Sequence, residues 1–156
     1  MPNACPFIRC DCADGAYKQK QLDLTHPDWS SSDHDVSYPG PVPILASRSS
    51  DRLGREFSFG GRTTTVALMQ DAILVGLGMM AELKQGHQLR VYTHQHCGMY
   101  AALLGEDPSD ALLQEELDYV VNEVLKPALP GLRIKGHLAI KTDEGWAISR
   151  PLAVAR

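Results

Sequence analysis

Apolar residues recur at helical spacing through the middle of the chain, three or four positions apart. The threonines at 63–65 offer N-caps before this stretch, and Gly86 follows it where a glycine ends many helices. Gly76 and Gly78 weaken helix propensity inside the stretch, so we expect them to allow close packing against a sheet. The pattern predicts a long helix, along which the apolar residues recur at helical spacing: Val66, Met69, Ile73, Leu77, Met80 and Leu83.

A second helical pattern runs roughly from Ser109 to Leu125. The residues 108–110 supply its start, and Pro127 and Pro130 stop it. Its predicted buried stripe consists of Leu113, Leu117, Val120, Val121 and Val124.

Strand patterns surround these helices. We predict strands at Pro6–Cys12, Ile44–Ala46, Gln88–Thr93, Arg133–Lys141 and Trp146–Val154, the last two joined by the turn Thr142–Gly145. Ala16–Leu24 is predicted as a short helix, Thr25–Ser37 as a polar loop, and Ser47–Arg62 as irregular or partly helical. Because strands and helices alternate, the fold class is α/β, with a central, mainly parallel β-sheet flanked by helices and a C-terminal antiparallel hairpin. We expect one domain spanning 1–156.

Composition narrows the range of partners. Of the 156 residues, 44% are hydrophobic and 22% charged, as in ordinary globular proteins. The formal net charge is −4 without a basic stripe, so we expect no nucleic-acid partner. We find no apolar run long enough for a membrane span and no secretory leader at the N-terminus, and therefore expect a cytoplasmic protein without a membrane partner.

The four cysteines are distributed unevenly. Cys5, Cys10 and Cys12 lie close together, and Cys97 stands alone. In a reducing compartment such cysteines are typical of metal ligands or buried fillers rather than disulfides. We predict that Cys10 is a buried filler rather than a spare ligand, and that Cys5 is structural or exposed.

Two short polar segments each follow a predicted strand: one contains Cys12 and Asp14, and the other contains His94 and Cys97. Ligands of open α/β sheets collect beyond the carboxyl ends of the strands. If the two strands are neighbours, Cys12, His94 and Cys97 form a zinc-type set, with Asp14 as a fourth ligand or a proton acceptor. The alternative from spacing alone is that the cysteines are small strand hydrophobes and His94 is a core histidine.

These segments resemble the motifs of the β-class carbonic anhydrases, in particular a small bacterial branch. The first motif is Ile8–Gly15, and the second is Thr93–Tyr100. The acidic helix through Glu115 and Glu116 is also similar. The resemblance spans roughly Phe7–Ile140, with its specific matches confined to the two motifs.

The resemblance implies a zinc ion (Zn²⁺) held by Cys12, His94 and Cys97. Zinc-bound hydroxide would then hydrate carbon dioxide reversibly to bicarbonate. Asp14 matches the family aspartate, which orients the zinc-bound water or, in the closed form, binds the metal. His96 lies within the second motif, either as a surface residue or as a proton shuttle. Family members form dimers or larger assemblies, so a homodimer or a higher homo-oligomer is expected.

One position departs from the family pattern Cys-x-Asp-x-Arg: Ala16 stands where the arginine is expected. That arginine pairs with the aspartate and holds it off the metal. Without it, we expect Asp14 to bind the zinc and close the fourth position, unless another arginine (Arg9, Arg48, Arg52 or Arg62) replaces it. The alternatives to a carbonic anhydrase are therefore a zinc-binding homologue without that activity, or a hydrolase of carbonyl sulfide or carbon disulfide.

Overall fold

The computed structural model describes residues 7–13, 34–148 and 153–154. Its strands are β1 (Phe7–Cys12), β2 (His34–Tyr38), β3 (Glu56–Phe59), β4 (Arg62–Thr65), β5 (Gln88–His94), β6 (Arg133–Thr142), β7 (Gly145–Ile148) and β8 (Ala153–Val154). Its helices are α1 (Pro41–Ala46), α2 (Ser50–Leu53), α3 (Val66–Lys84), α4 (Gly98–Leu104), α5 (Asp110–Tyr119) and α6 (Lys126–Ala128), with a π-helical segment (Val120–Leu125) between α5 and α6.

Six of these strands form one sheet in the order β2-β1-β5-β6-β7, with β8 paired to the first part of β6. Strands β2, β1, β5 and β6 are parallel, whereas β7 and β8 are antiparallel to β6. Strands β3 and β4 form a separate hairpin directly before α3. The predicted α/β class is confirmed at this level: a mixed, mostly parallel sheet flanked by helices, with an antiparallel C-terminal pair.

One face of the sheet carries the main apolar core. Ile8, Leu89 and Ile134 lie level with one another on β1, β5 and β6 and are buried. Helices α1 and α3 and the π-helical segment pack their apolar residues into the same cluster. Full burial of each such side chain stabilises the folded state by about 1.5–3 kcal/mol. The cluster therefore holds the strands, and with them the strand ends, in fixed positions.

The prediction for Ile44–Ala46 is wrong. This segment belongs to helix α1, all of whose residues are buried, and not to a strand. Pro41 occupies the first turn, where its fixed φ and missing N–H favour a helix start. A run of three apolar residues is too short to distinguish a strand period from a helix period.

Two other polar regions contain more structure than predicted. His34–Ser37, predicted as part of a loop, belongs to the edge strand β2 and pairs with β1. Residues 47–62, predicted as irregular or partly helical, include α2 and β3, with Gly60 and Gly61 at positive φ in the hairpin turn. An edge strand and an exposed hairpin need no continuous apolar run, so periodicity does not reveal them. The helix predicted at Ala16–Leu24 lies outside the described residues.

The long helix is confirmed as α3, and the Thr65 side chain caps it by accepting a bond of 3.2 Å from the Leu68 N–H. Its end differs from the prediction, because Gln85 takes the left-handed conformation (φ 53°) and Gly86 only follows it. A Cβ on Gly86 would lie 2.7 Å from Ile8 Cδ1, so this glycine allows β1 to approach. Gly76 allows the predicted close packing, since a Cβ there would collide with the Tyr38 hydroxyl on β2.

Helix α3 also has the length and composition of a membrane span, with a mean hydropathy of 1.5 over its most apolar window. Only 17% of that window is buried within the chain. The sequence-based statement that no such segment exists is therefore wrong. Asp71 and Glu82 interrupt the apolar run, and the mean hydropathy of 1.5 already includes these two charges.

Candidate metal centre

The candidate site lies where the order of the strands reverses. The chain passes from β1 to β2 on one side, whereas β5 pairs with β1 on the other side. The carboxyl ends of β1 and β5 therefore lie at a switch point of the sheet, where α/β proteins bind ligands in a crevice beyond the strands. Cys12 is the last residue of β1, and His94 is the last residue of β5.

Cys12 lies in the wall of this crevice and is 8% exposed. The backbone N–H of Gly40 donates a hydrogen bond of 3.3 Å to its Sγ atom. Gly40 has φ 55°, and a Cβ there would collide with the Met99 side chain, whose Cγ would lie 2.7 Å away. Only glycine meets both requirements, so Gly40 brings a backbone donor to the sulfur.

His94 is completely buried at the end of β5. Its Nδ1 lies 2.7 Å from the carbonyl oxygen of Gln95. A carbonyl oxygen only accepts, so Nδ1 donates this bond and Nε2 is the ring nitrogen that remains for a metal ion. The edge of Trp146 packs against the ring, with centroids 5.9 Å apart.

Three hydrogen bonds that involve side chains fix the turn between His94 and Cys97. The Gln95 side chain accepts a bond of 2.9 Å from the Lys141 N–H and donates one of 2.8 Å to Asp110. His96 adopts φ 57°, and its Nδ1 lies 2.8 Å from Asp107 Oδ2. These bonds attach the turn to β6 and to the start of α5, and so fix the position of Cys97.

Cys97 is the N-cap residue of α4 and is 1% exposed. Its Sγ lies 3.8 Å from the Sγ of Cys12, and neither cysteine is part of a disulfide. The ligand atoms of Cys12, His94 and Cys97 all lie within 4.8 Å of one another. The structure therefore brings together the three residues that the sequence predicts.

The donor set can be tested against the dimensions of a metal site. Zinc–sulfur bonds of about 2.3 Å at tetrahedral angles place two thiolates about 3.8 Å apart. The Cys12 and Cys97 sulfurs have this separation, whereas a disulfide needs about 2.05 Å. The cluster therefore has the composition and the sulfur spacing of a site for a soft or borderline metal ion.

Electrostatics favour the ligand form of Cys97. Its hydrogen bond with Cys12 lowers the pKa of the Cys97 thiol well below the ordinary value, and His94 adds to this effect, while burial opposes it. A thiolate is the metal-binding form of cysteine. Cys10 differs, because burial raises the pKa of its thiol far above the ordinary value and keeps it neutral in the core.

A cavity of about 280 Å³ opens beside the cluster. Cys12 contributes to its wall, and most of the remaining surface is apolar or backbone, from Ala13, Pro39, Gly40 and Met99. The cavity is large enough for a small molecule of a few atoms and reaches a candidate ligand sulfur directly.

Of Asp14, Ala16, Cys5, Cys10 and His96, the structure describes Cys10 and His96. Asp14, Ala16 and Cys5 are outside the described residues, so the role of Asp14 stays a prediction. Cys10 is a buried filler, as predicted. His96 is on the surface, 58% exposed at its side chain.

The arginines considered as substitutes give no support for a replacement beside Cys12. Arg52 is bound to Glu116, with Nη1 2.6 Å from Oε1. Arg48 lies 3.9 Å from the ring centroid of Tyr119. Arg62 belongs to the β3–β4 hairpin, and Arg9 lies on the opposite face of β1 from Cys12, because side chains alternate along a strand.

Sequence reasoning missed the supporting residues, namely Gly40, Gln95, Met99 and Trp146. The sequence does contain a signal for Gly40, because a Pro-Gly-Pro run, which is typical of a turn, directly follows β2. The hydrogen bonds of Gln95 depend on residues far along the chain, which no local pattern reveals.

In comparisons with known proteins, no family model matches the chain and no curated protein is detectably similar to it.

Proposed function

We propose that the chain is a zinc protein of the carbonic anhydrase type, which interconverts carbon dioxide and bicarbonate. The observation that carries the proposal is the buried Cys12, His94 and Cys97 cluster, with its sulfur separation of 3.8 Å, at the edge of an apolar cavity. When bound in such a site, zinc acts as a Lewis acid that lowers the pKa of a coordinated water to about 7.

Residues of the chain supply the other functions of the site. Cys12, His94 and Cys97 hold the ion, and the Gly40 N–H reduces the charge on the Cys12 sulfur. Pro39 and Met99 offer an apolar surface that suits an uncharged linear molecule better than an ion. Asp14 follows Cys12 by two positions and is proposed to accept a proton or a hydrogen bond at the fourth position.

The second candidate is a zinc-binding homologue without this activity. It is favoured by Ala16, which replaces the family arginine, and by the engagement of Arg52 with Glu116. In this second reading no guanidinium holds Asp14, which then binds the ion itself, and a site with four protein ligands is structural rather than catalytic. Carbonyl sulfide and carbon disulfide, which share the linear shape of carbon dioxide, are alternative substrates of an open site.

Stopped-flow hydration of carbon dioxide by the fully zinc-loaded chain, measured across pH, tests the proposal. We expect a rate above buffer at alkaline pH, lost in Cys97→Ser and kept in the control Cys10→Ala, whose thiol lies in the core. No rate above buffer at full zinc occupancy would contradict the enzyme proposal. A gain of activity in Ala16→Arg would then assign the loss to a closed fourth position.

A further inference from the structure

The position of helix α4, which begins directly after Cys97, depends mainly on one side chain. The helix is seven residues long, and Tyr100 is its only buried residue. A helix this short has little stability of its own, so the packing of its buried residue decides where it lies. Tyr100 belongs to the same apolar cluster as Cys12 and Cys97. Its side chain therefore anchors the helix whose N-cap is a candidate metal ligand.

The backbone of Tyr100 also acts on the Cys97 sulfur. Tyr100 is the third residue of α4, where a backbone N–H points back to the N-cap side chain. Cys12 and then His94 lower the pKa of the Cys97 thiol against the effect of burial, and the Tyr100 N–H adds to this lowering. In the same turn, the carbonyl oxygen of Cys97 accepts a bond of 3.1 Å from the Ala101 N–H. A displacement of the Tyr100 ring thus moves the first turn of α4 and the sulfur together.

The Tyr100 hydroxyl lies in the interior under the influence of a carboxylate. Burial raises the pKa of this hydroxyl above its ordinary value, and Glu116 raises it further. Among the described residues, the hydroxyl makes no hydrogen bond of ordinary geometry, and Glu116 is the acceptor that acts on it. Because the raised pKa keeps the phenol protonated, its O–H and the carboxylate attract each other.

The carboxylate of Glu116 is itself held in place. Glu116 lies on α5 and is 2% exposed. Arg52 on α2 donates to both of its oxygens, with Nη1 2.6 Å from Oε1 and Nη2 3.4 Å from Oε2. The same Nη2 lies 3.5 Å from the carbonyl oxygen of Pro43 on α1. Three helices together therefore define the position of the carboxylate that acts on Tyr100.

Stability alone does not account for an ion pair at this buried place. Removing two charges from water costs about as much as their attraction returns, and well-packed apolar residues are often equally stable. Buried ion pairs instead fix the arrangement of the elements that they join in some proteins. Here the pair of Arg52 and Glu116 adjoins the residue that anchors α4.

We propose that Arg52, Glu116 and Tyr100 form a positioning network for the metal centre. The pair of Arg52 and Glu116 holds Tyr100, and Tyr100 holds the turn of α4 that carries Cys97. The network keeps the Cys97 sulfur 3.8 Å from the Cys12 sulfur, in a kind of site whose ligands must be placed to within about 0.5 Å. The three residues act through Cys97 and not on the metal itself. This inference rests on the proposed metal centre, but not on the reaction proposed for it.

Zinc affinity of the full chain, measured by competition with a chromogenic chelator, is the first test. Tyr100→Phe keeps the ring and removes the hydroxyl, and we expect it to bind zinc about 10-fold more weakly. Glu116→Gln should have a similar effect. The double variant should bind no more weakly than the weaker single variant, because both changes break one contact. Tyr119→Phe is the matched control and should keep the wild-type affinity, since the Tyr119 ring packs against Arg48.

Cobalt spectroscopy separates positioning from a general loss of stability. When Co²⁺ replaces zinc, its ligand-field and sulfur charge-transfer bands depend on the geometry of the ligands. We expect these bands to shift in fully loaded Tyr100→Phe and Glu116→Gln. Val120→Ala, in the main core, should lower the free energy of unfolding and leave the bands unchanged.

The outcomes distinguish the network from the metal centre on which it rests. Wild-type bands in fully loaded Tyr100→Phe and Glu116→Gln would overturn the network and leave the metal centre intact, provided that Cys97→Ser loses a sulfur band. Failure of the wild type to bind zinc or Co²⁺ would overturn both. Shifted bands in both variants, with wild-type bands in Val120→Ala and Tyr119→Phe, are the result that the network predicts.

Discussion

The Sγ atoms of Cys12 and Cys97 lie 3.8 Å apart although 85 positions separate the two residues along the chain. Parallel pairing of β1 and β5 produces this proximity, because it places the carboxyl ends of both strands at the same edge of the sheet. The burial of both residues then makes a metal ion the simplest partner for two adjacent thiols and a histidine.

Gly40 should be intolerant of a side chain. We expect Gly40→Ala to lower the free energy of unfolding by about 2–5 kcal/mol, because left-handed strain and a collision with Met99 add together. Gly60→Ala is the control, since Gly60 has a similar φ of 57° and nothing within 4 Å of its Cβ position. That variant should lose only about 1 kcal/mol. Equal losses in urea denaturation of the two variants would contradict the role of the close contact.

The Gln95 side chain should support metal affinity without touching the metal. Its bonds to the Lys141 N–H and to Asp110 hold the turn that carries Cys97. We expect Gln95→Ala to weaken zinc binding by about 10- to 100-fold, as when groups that orient metal ligands are removed. Gln95→Glu combined with Asp110→Asn restores a donor–acceptor pair in the reverse direction and should recover most of the affinity. Competition with a chromogenic chelator measures the zinc affinities of both variants. An unchanged affinity in Gln95→Ala would show that Gln95 does not support zinc binding.

The ion pair between Arg52 and Glu116 should stabilise the folded state more than the ion pair between Arg48 and Glu115. Glu116 is 2% exposed, so Arg52→Ala leaves a buried carboxylate without its cation and should cost about 3–5 kcal/mol in thermal or urea unfolding. Arg48 and Glu115 are 4.0 Å apart and largely exposed, and Arg48→Ala should cost less than about 1 kcal/mol. Adding Glu116→Gln to Arg52→Ala should recover part of the loss. A loss that Glu116→Gln does not reduce would show that charge burial is not its cause.

Because the pKa of the Cys97 thiol is lowered, we expect the stability of the metal-free chain to depend on pH. The unfolded thiol has a pKa of about 8.5, and the folded value is lower, so the folded state releases a proton that the unfolded state keeps. This stabilisation is fully present above the unfolded pKa and is lost as pH falls through the folded pKa. The stability difference between wild type and Cys97→Ala should therefore grow from pH 6 to pH 8, by at most about 1.4 kcal/mol per pH unit.

Urea denaturation in the presence of a chelator measures that difference. Cys10→Ala is the control, because the Cys10 thiol is neutral in the folded state and largely neutral in the unfolded state below about pH 8. Its difference from wild type should stay constant over this range. A difference for Cys97→Ala that is equally constant would show that the folded thiol is not ionised.

The sequence predicts those features that depend on periodicity and on residue order. Helix α3, strand β5 and the convergence of Cys12, His94 and Cys97 follow from apolar spacing and from the rule that ligands collect at strand ends. The three apolar residues of Ile44–Ala46 carry no period and so resemble a short strand, whereas their helix depends on Pro41 and on complete burial. Gly40 and Gln95 act through contacts with distant residues, which only the assembled fold defines.

X-ray absorption at the zinc edge, combined with the zinc content of the purified chain, tests whether the cluster binds zinc. We expect about one zinc per chain, bound by two sulfur atoms at about 2.3 Å and one histidine nitrogen at about 2.0 Å. The fourth ligand is then an oxygen, from water or from Asp14. Cys97→Ser should lose one sulfur or the metal altogether, while Cys10→Ala should keep the full spectrum. A chain without bound metal after purification in zinc-containing buffer, or a zinc shell with fewer than two sulfurs, would contradict the metal centre.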